Sequence, residues 1–262
     1  MHRILFQFGN FHIYAYGFFL AVGFCTAVIL CVLKIRKSDI KLPLENAADL
    51  LLYTVLSGFL GSRILFILIN FDVYRQHPLQ MLKIWEGGLV FYGGLIPAAT
   101  VAFVYMRSHR LPVWKLADLV SPLIALGLSF GRIGCFFAGC CYGRETSLPW
   151  AVVFRDPDSL ARLNVPLHPT QLYEAANGLV IFFFLSWMSK RETFDGQVFW
   201  LFVFLYSITR FFIEIFRGDP RGFLFGDLLS TSQGIGILLA IPSLFVLLYM
   251  EKRRRRYESG CS

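Results

Sequence analysis

Three arginines stand where an apolar chain ordinarily carries none: Arg63, Arg132 and Arg210 each lie inside a run of apolar residues. A guanidinium in such a place costs about 3 kcal/mol on insertion scales, so each needs a partner or a purpose. Its planar fork of N–H donors fits a phosphate or carboxylate through two parallel hydrogen bonds. Glu214 follows Arg210 by four residues, which puts both on one helical face, and Arg217 continues that face. Polar residues accompany the arginines at the ends of the apolar runs: Tyr14 and Tyr16, Tyr92, the stretch His168 to Glu174, and Ser230 to Gln233. Together they describe a polar cavity for an anionic group, a phosphate above all. The bland alternative is that the arginines snorkel to a boundary, or that Arg210 and Glu214 form a structural ion pair.

The elements that must hold these groups are long apolar helices. Of 262 residues, 56% are apolar and only 16% charged, and the mean hydropathy is +0.59; a soluble domain carries about a quarter of its residues charged. A bilayer is therefore the solvent. Candidate spans are Phe11 to Leu33, Ala47 to Ile69, Leu89 to Tyr105, Leu116 to Phe137, Gln171 to Met188, Val198 to Phe216 and Ser232 to Met250. Each is close to the ~20 residues that a hydrocarbon core requires. Gly127, Gly131, Gly134 and Gly139 make the fourth a poor uniform helix, with close packing or an irregular C-terminal end expected. Residues Met1 to Asn10 lack the basic flank and cleavage site of a secretory signal, so the first span is read as retained.

Lysine and arginine in the loops set the orientation. One side carries Lys34, Arg36, Lys37, Lys41, Arg107, Arg110, Lys115, Lys190, Arg191 and the run Lys252 to Arg256, against eight basic residues on the other. The expected fold is an all-α membrane protein, a single integral domain over residues 1–262, with about seven transmembrane helices. Its N-terminus is outside and its C-terminus cytoplasmic. Residues 138–170 form the longest outer loop and 251–262 a basic cytoplasmic tail. In that frame all three buried arginines fall toward the outer ends of their spans. The net charge of +8 is scattered between apolar blocks with no aromatic platform interleaved, which excludes a nucleic-acid partner.

Four segments, IWEGGLVFYGGLI (84–96), GRIGCFFAGCCYGR (131–144), HPTQLYEA (168–175) and YSITRFFIEIFRGD (206–219), together resemble the prolipoprotein diacylglyceryl transferase family. The resemblance implies a seven-helix bundle in a bacterial cell (inner) membrane with its site toward the outer leaflet. It implies transfer of the diacylglyceryl group of phosphatidylglycerol to the lipobox cysteine of a preprolipoprotein, the first step of lipoprotein maturation. A thioether forms and glycerol phosphate leaves. The implied partners are phosphatidylglycerol, the signal peptides of preprolipoproteins and membrane lipid. Arg132 and Arg210 match the family's two essential arginines, and Glu214 the acidic residue after the second. Tyr16, Tyr206, Gly143 and the block carrying His168, Gln171 and Glu174 match positions that bind or place substrate. Gln171 and Glu174 equally suit tying helix ends together. Gly93 and Gly94 suit backbone approach, either to a lipid headgroup or to a neighbouring helix.

Two departures from the family stand out. Tyr92 occupies the position of a histidine proposed to activate the thiol, and a tyrosine of pKa about 10 is a poor base. Either Tyr92 is held ionised near Arg132, or it only hydrogen-bonds and the thiol loses its proton elsewhere. Cys135 and Cys140 replace an asparagine and a glutamate, with Cys141 beside them. Free buried thiols are the expectation and a disulfide at the outer face the alternative. Metal ligation is disfavoured because the sequence offers no fourth ligand at a tight spacing. No cofactor is expected: there is no glycine-rich loop after a strand and no compact metal set. Two further readings of function remain open, an organic-anion transporter and an altered relative that uses the same lipid site with another acceptor.

Overall fold

In a hydrocarbon solvent the backbone must satisfy its own hydrogen bonds, and a helix is how a single apolar run does so. The computed structural model describes residues 4–8, 11–38, 40, 42–76, 78–82, 88–219, 223–224 and 229–259. Among these the helices are α1 (Ala15–Lys37), α2 (Leu44–Ile69), α3 (Phe71–Gln76), α4 (Phe91–Ser108), α5 (Val113–Ala138), α6 (Thr170–Met188), α7 (Gln197–Glu214) and α8 (Thr231–Ser259). Three short antiparallel pairs accompany them: β1 (Ile4–Phe8) with β2 (Phe11–Tyr14), β3 (Val152–Val153) with β4 (Pro166–Leu167), and β5 (Phe223–Leu224) with β6 (Leu229–Ser230).

The protein is a largely helical membrane protein. Among the described residues five helical segments, Ala15–Lys37, Glu45–Ile69, Val113–Ala138, Gln197–Glu214 and Thr231–Arg256, are long and apolar enough to cross a membrane. Their outer faces are apolar: Phe245 on α8 is 68% exposed and Leu60 on α2 is 57%. Water would penalise such surfaces and lipid does not.

One expectation about element limits needs correction: the first apolar run does not begin a helix at Phe11, because Phe11–Tyr14 is the strand β2. In the fourth run Gly127, Gly131 and Gly134 lie within a continuous α5, and Gly139 follows its end at Ala138 with a positive φ. A glycine weakens a helix mainly by freeing the chain in water, and an apolar solvent removes that competitor. Gly134 instead admits the backbone of Tyr16, whose Cα lies 3.1 Å from where a Cβ would stand.

Packing divides the chain into two units, residues 39–113 and residues 1–38 with 114–262. In the smaller unit, α2 and α4 cross at glycines. A Cβ on Gly94 would meet the Gly58 carbonyl oxygen at 2.9 Å, and one on Gly93 would meet the Gly61 oxygen at 2.8 Å. Arg63 on α2 is buried, and it donates to the carbonyls of Gln80 (3.0 Å), Met81 (3.2 Å) and Gly88 (3.2 Å), tying down the connection to α4. Its guanidinium also faces the rings of Phe66 and Tyr74 at 5.7 and 5.6 Å, a favourable cation–π arrangement.

The larger unit holds α1, α5, α6, α7 and α8. Its apolar centre is Ala125, Ile181, Leu185 and Val198, flanked by Phe182, Leu201, Phe202, Leu205 and Tyr206. Gly178 brings α6 against Ala125 and Ser129 of α5, where Ser129 Oγ donates to the Ala175 carbonyl at 2.7 Å. Asp118 of α5 caps α7 from outside, accepting from the backbone N–H groups of Gly196 and Phe199. A buried carboxylate at that end answers both the unpaired donors and the positive pole of α7.

Candidate active site

The C-terminal ends of α5 and α7 and the N-terminal end of α6 bring together charges that are far apart in sequence. Glu174, in the second turn of α6, is the hub. Its Oε1 accepts from Arg210 Nη1 at 2.8 Å and from Arg217 Nη1 at 2.8 Å, and its Oε2 lies 2.6 Å from Arg132 Nε. Arg210 Nη2 turns to Glu214 at 2.6 Å, one helical turn on. Arg217, just beyond the end of α7, pairs through Nε and Nη2 with Asp219 at 2.9 and 3.0 Å. Three guanidiniums thus face Glu174, Glu214 and Asp219, and the formal charges cancel. Burial works against the charge of Arg217, but hydrogen bonds to Asp219 and the nearby Cys141 and Glu174 hold its pKa above the ordinary value.

The three arginines are committed to different degrees. Arg210 and Arg217 each spend Nη groups on carboxylates, whereas Arg132 gives Glu174 only its Nε. Both Nη groups of Arg132 have no partner among the described residues. Its side chain is also the most open, 20% exposed against 11% for Arg210 and 3% for Arg217. An oriented donor fork of this kind takes a tetrahedral anion without rearranging. Tyr16 and Tyr206 lie within electrostatic reach of Arg132.

The loop after α5 is fastened to α6 and α7. Gly143 pairs with Arg217 and with His168, its N–H donating to the His168 carbonyl at 3.0 Å. A Cβ there would meet that carbonyl oxygen at 2.6 Å and the Phe216 oxygen at 2.8 Å, so only glycine fits. Thr170 Oγ1 donates to the Cys141 carbonyl at 2.9 Å and Gln171 Nε2 to the Cys140 carbonyl at 2.7 Å. His168 Nδ1 lies 3.2 Å from the Tyr173 hydroxyl, which accepts from Trp150 Nε1 at 2.8 Å.

The end of α5 explains a cluster that sequence spacing concealed. Gly139 follows the helix at φ +74°, with Gly139 N–H donating to Phe136 and Cys140 N–H to Cys135, both at 3.2 Å. Those paired bonds form a Schellman motif, which folds the residue after the turn back over the last turn of helix. Cys140 is thereby laid on Cys135, and Cys141, at φ +60°, turns in beside them. The three sulfurs lie within 4.8 Å of one another. Hydrogen bonds from Cys135 and Cys140, supported by the charges of Arg217 and Arg132, draw the pKa of Cys141 down. The contacts with Cys135 and Cys141 push Cys140 up.

Comparison with known proteins places this site in a lineage. Residues 3–249 match the family model described as prolipoprotein diacylglyceryl transferase. The chain belongs to that family. It is 37% identical over 246 residues to the phosphatidylglycerol–prolipoprotein diacylglyceryl transferase of Clostridium tetani, covering 94% of this chain and 96% of the relative. It is 37% identical to transferase 2 of Clostridium perfringens, with 99% of each chain covered. It is 33% identical to the Geobacter sulfurreducens enzyme, with 94% and 93% covered.

Within this family member the site residues read from sequence divide into groups. Arg132, Arg210, Glu174 and Glu214 form the ionic hub, with Tyr16 and Tyr206 near Arg132. His168, Gln171 and Gly143 build the joint beneath it. Tyr92, Gly93 and Gly94 belong to the smaller unit; there the two glycines serve the crossing of α2 and α4, and Tyr92 is 41% exposed in the first turn of α4. Arg63 is also in that unit, and its donors hold backbone carbonyls. Sequence reading gave Arg217 only a place on the face of Arg210 and assigned Asp219 no role. The spacing of Arg217 from Glu214 carried a signal, whereas Asp219 lies beyond the helix and carried none.

Proposed function

We propose that this protein transfers the diacylglyceryl group of phosphatidylglycerol to the lipobox cysteine of preprolipoproteins, releasing glycerol phosphate. The family membership supports the reaction, and the uncommitted fork of Arg132 on a braced ionic hub supports the way it is done. In this reading the two Nη groups of Arg132 hold the non-bridging oxygens of the phosphodiester. Glu174 fixes the direction of that fork through Nε, while Arg210 adds positive potential from the neighbouring helix. The acceptor thiol attacks the glyceryl carbon, a C–S bond forms, and the C–O bond to phosphate breaks. The departing glycerol phosphate gains negative charge, which the arginines stabilise more strongly than they do the diester.

The proposed setting is a bacterial inner membrane with seven spans, α4 and α6 crossing it in addition to the five most apolar helices. Their 18 and 19 residues give a rise of about 27–29 Å, close to the hydrocarbon thickness. The N-terminus is outside, the C-terminus cytoplasmic, and the hub faces the outer leaflet, where signal-peptide cysteines are presented.

The test is a coupled assay with detergent-purified protein, phosphatidylglycerol and a fluorescent lipobox peptide. The expected outcome is that the peptide gains the diacylglyceryl mass and an equal amount of glycerol phosphate appears. Lipid binding with neither product would leave a lipid site with a different acceptor.

A further inference from the structure

We infer that Cys135, Cys140 and Cys141 bind one zinc ion as three thiolates, and that its fourth position receives the acceptor cysteine for alkylation. The observation is the meeting of three sulfurs within 4.8 Å of one another at the end of the helix that carries Arg132. Zn–S bonds of about 2.3 Å put tetrahedral sulfurs about 3.8 Å apart, so three sulfurs within 4.8 Å of one another need to close by no more than about 1 Å to share one ion. The backbone supports such a site. The Schellman turn fixes Cys140 over Cys135, and Thr170 and Gln171 of α6 hold the carbonyls of Cys141 and Cys140. Arg132 and Arg217 stand within electrostatic reach of Cys141 and offset the negative charge that three thiolates leave on a divalent ion.

The missing fourth ligand, which argued against a metal on sequence grounds, is what gives the site a use. Closed structural zinc sites have four protein ligands, and sites with three leave a position for substrate. A thiol that binds there loses its proton outright. A second observation points to an incoming group. Gln171 is fully buried and gives Nε2 to Cys140, yet its Oε1 has no partner among the described residues. A donor from the acceptor peptide supplies one.

The step rests on the transferase reading and balances as follows. The acceptor thiol releases its proton to solvent on joining the metal, and its sulfur then attacks the glyceryl carbon of phosphatidylglycerol. The C–S bond forms as the C–O bond breaks, and the electron pair leaves with the oxygen of glycerol phosphate, which departs as the dianion. The neutral thioether is a weak ligand and dissociates, which restores the three-cysteine site. No base is then required of Tyr92.

The test uses the full chain purified in detergent with a phosphine reductant and no chelator. Elemental analysis is expected to find one zinc per chain, retained in Cys25→Ser and Cys31→Ser and lost in Cys135→Ser, Cys140→Ser and Cys141→Ser. Cobalt exchanged into the wild-type protein reports the fourth position without reference to turnover. A lipobox peptide should shift its visible bands, and the same peptide with serine for cysteine should not. Removing the metal from wild type should lower transfer about 100-fold, as loss of base activation does, and zinc should restore it. Metal-free protein with full transfer, sulfurs found joined as a disulfide in active protein, or cobalt bands indifferent to the thiol peptide would each overturn the inference and leave the transferase standing. Wild type that forms no thioether at any metal loading would sink the transferase reading instead, and with it the alkylation step.

Discussion

Glu174 carries more of the site than any arginine does. Both its oxygens face guanidiniums, so its substitution takes a carboxylate from three arginines at once, leaving Arg210 with Glu214, Arg217 with Asp219 and Arg132 without one among the described residues. Removing one partner of a buried ion pair costs about 3–5 kcal/mol. Glu174→Ala should therefore lower the thermal midpoint of the detergent-solubilised protein as well as its transfer rate, and Glu174→Gln should do so less. An unchanged midpoint with activity abolished would instead place Glu174 on the substrate. Sequence alone could not decide between those roles, because 36 residues separate Glu174 from Arg210 and no helical periodicity spans that distance. The Arg210–Glu214 pair was legible from its spacing of four, and the commitment of Arg63 to carbonyls was not, since its partners are backbone atoms that any sequence supplies.

At the scale of elements, each apolar run predicted a long helix among the described residues, five of them long and apolar enough to cross a membrane, because a hydrocarbon solvent leaves the backbone no other partner. Their ends were less legible. Phe11 to Tyr14 is as apolar as a helix start, and the glycines of α5 look like a break until the helices they admit are known. The cap on α7 was also hidden. Asp118 lies 78 residues from Gly196, and it stood in the sequence as one acid within an apolar span. Asp118→Ala leaves two N–H groups of α7 without their acceptor, at a cost of about 1–3 kcal/mol. Faster hydrogen exchange at residues 196–199, with the affinity for phosphatidylglycerol nearly unchanged, is the expected result. Protection equal to wild type would mean that another acceptor caps the helix.

For the molecule as a whole, the proposed topology puts the arginine-rich end of α8 in the cytoplasm and the hub at the opposite surface. A protease-sensitive tag after Ser262 should survive digestion of intact cells and be cut once the membrane is opened. Cleavage in intact cells would invert the assignment. The central claim is that the free fork of Arg132 takes the phosphodiester and stabilises its departure. It is tested most directly by comparing transfer kinetics of wild type, Arg132→Lys and Arg132→Ala across phosphatidylglycerol concentrations. Lysine keeps the charge and loses the fork, so kcat/KM for phosphatidylglycerol should fall about 100-fold or more in both variants, with unfolding midpoints near wild type. Full activity in either variant would contradict the account.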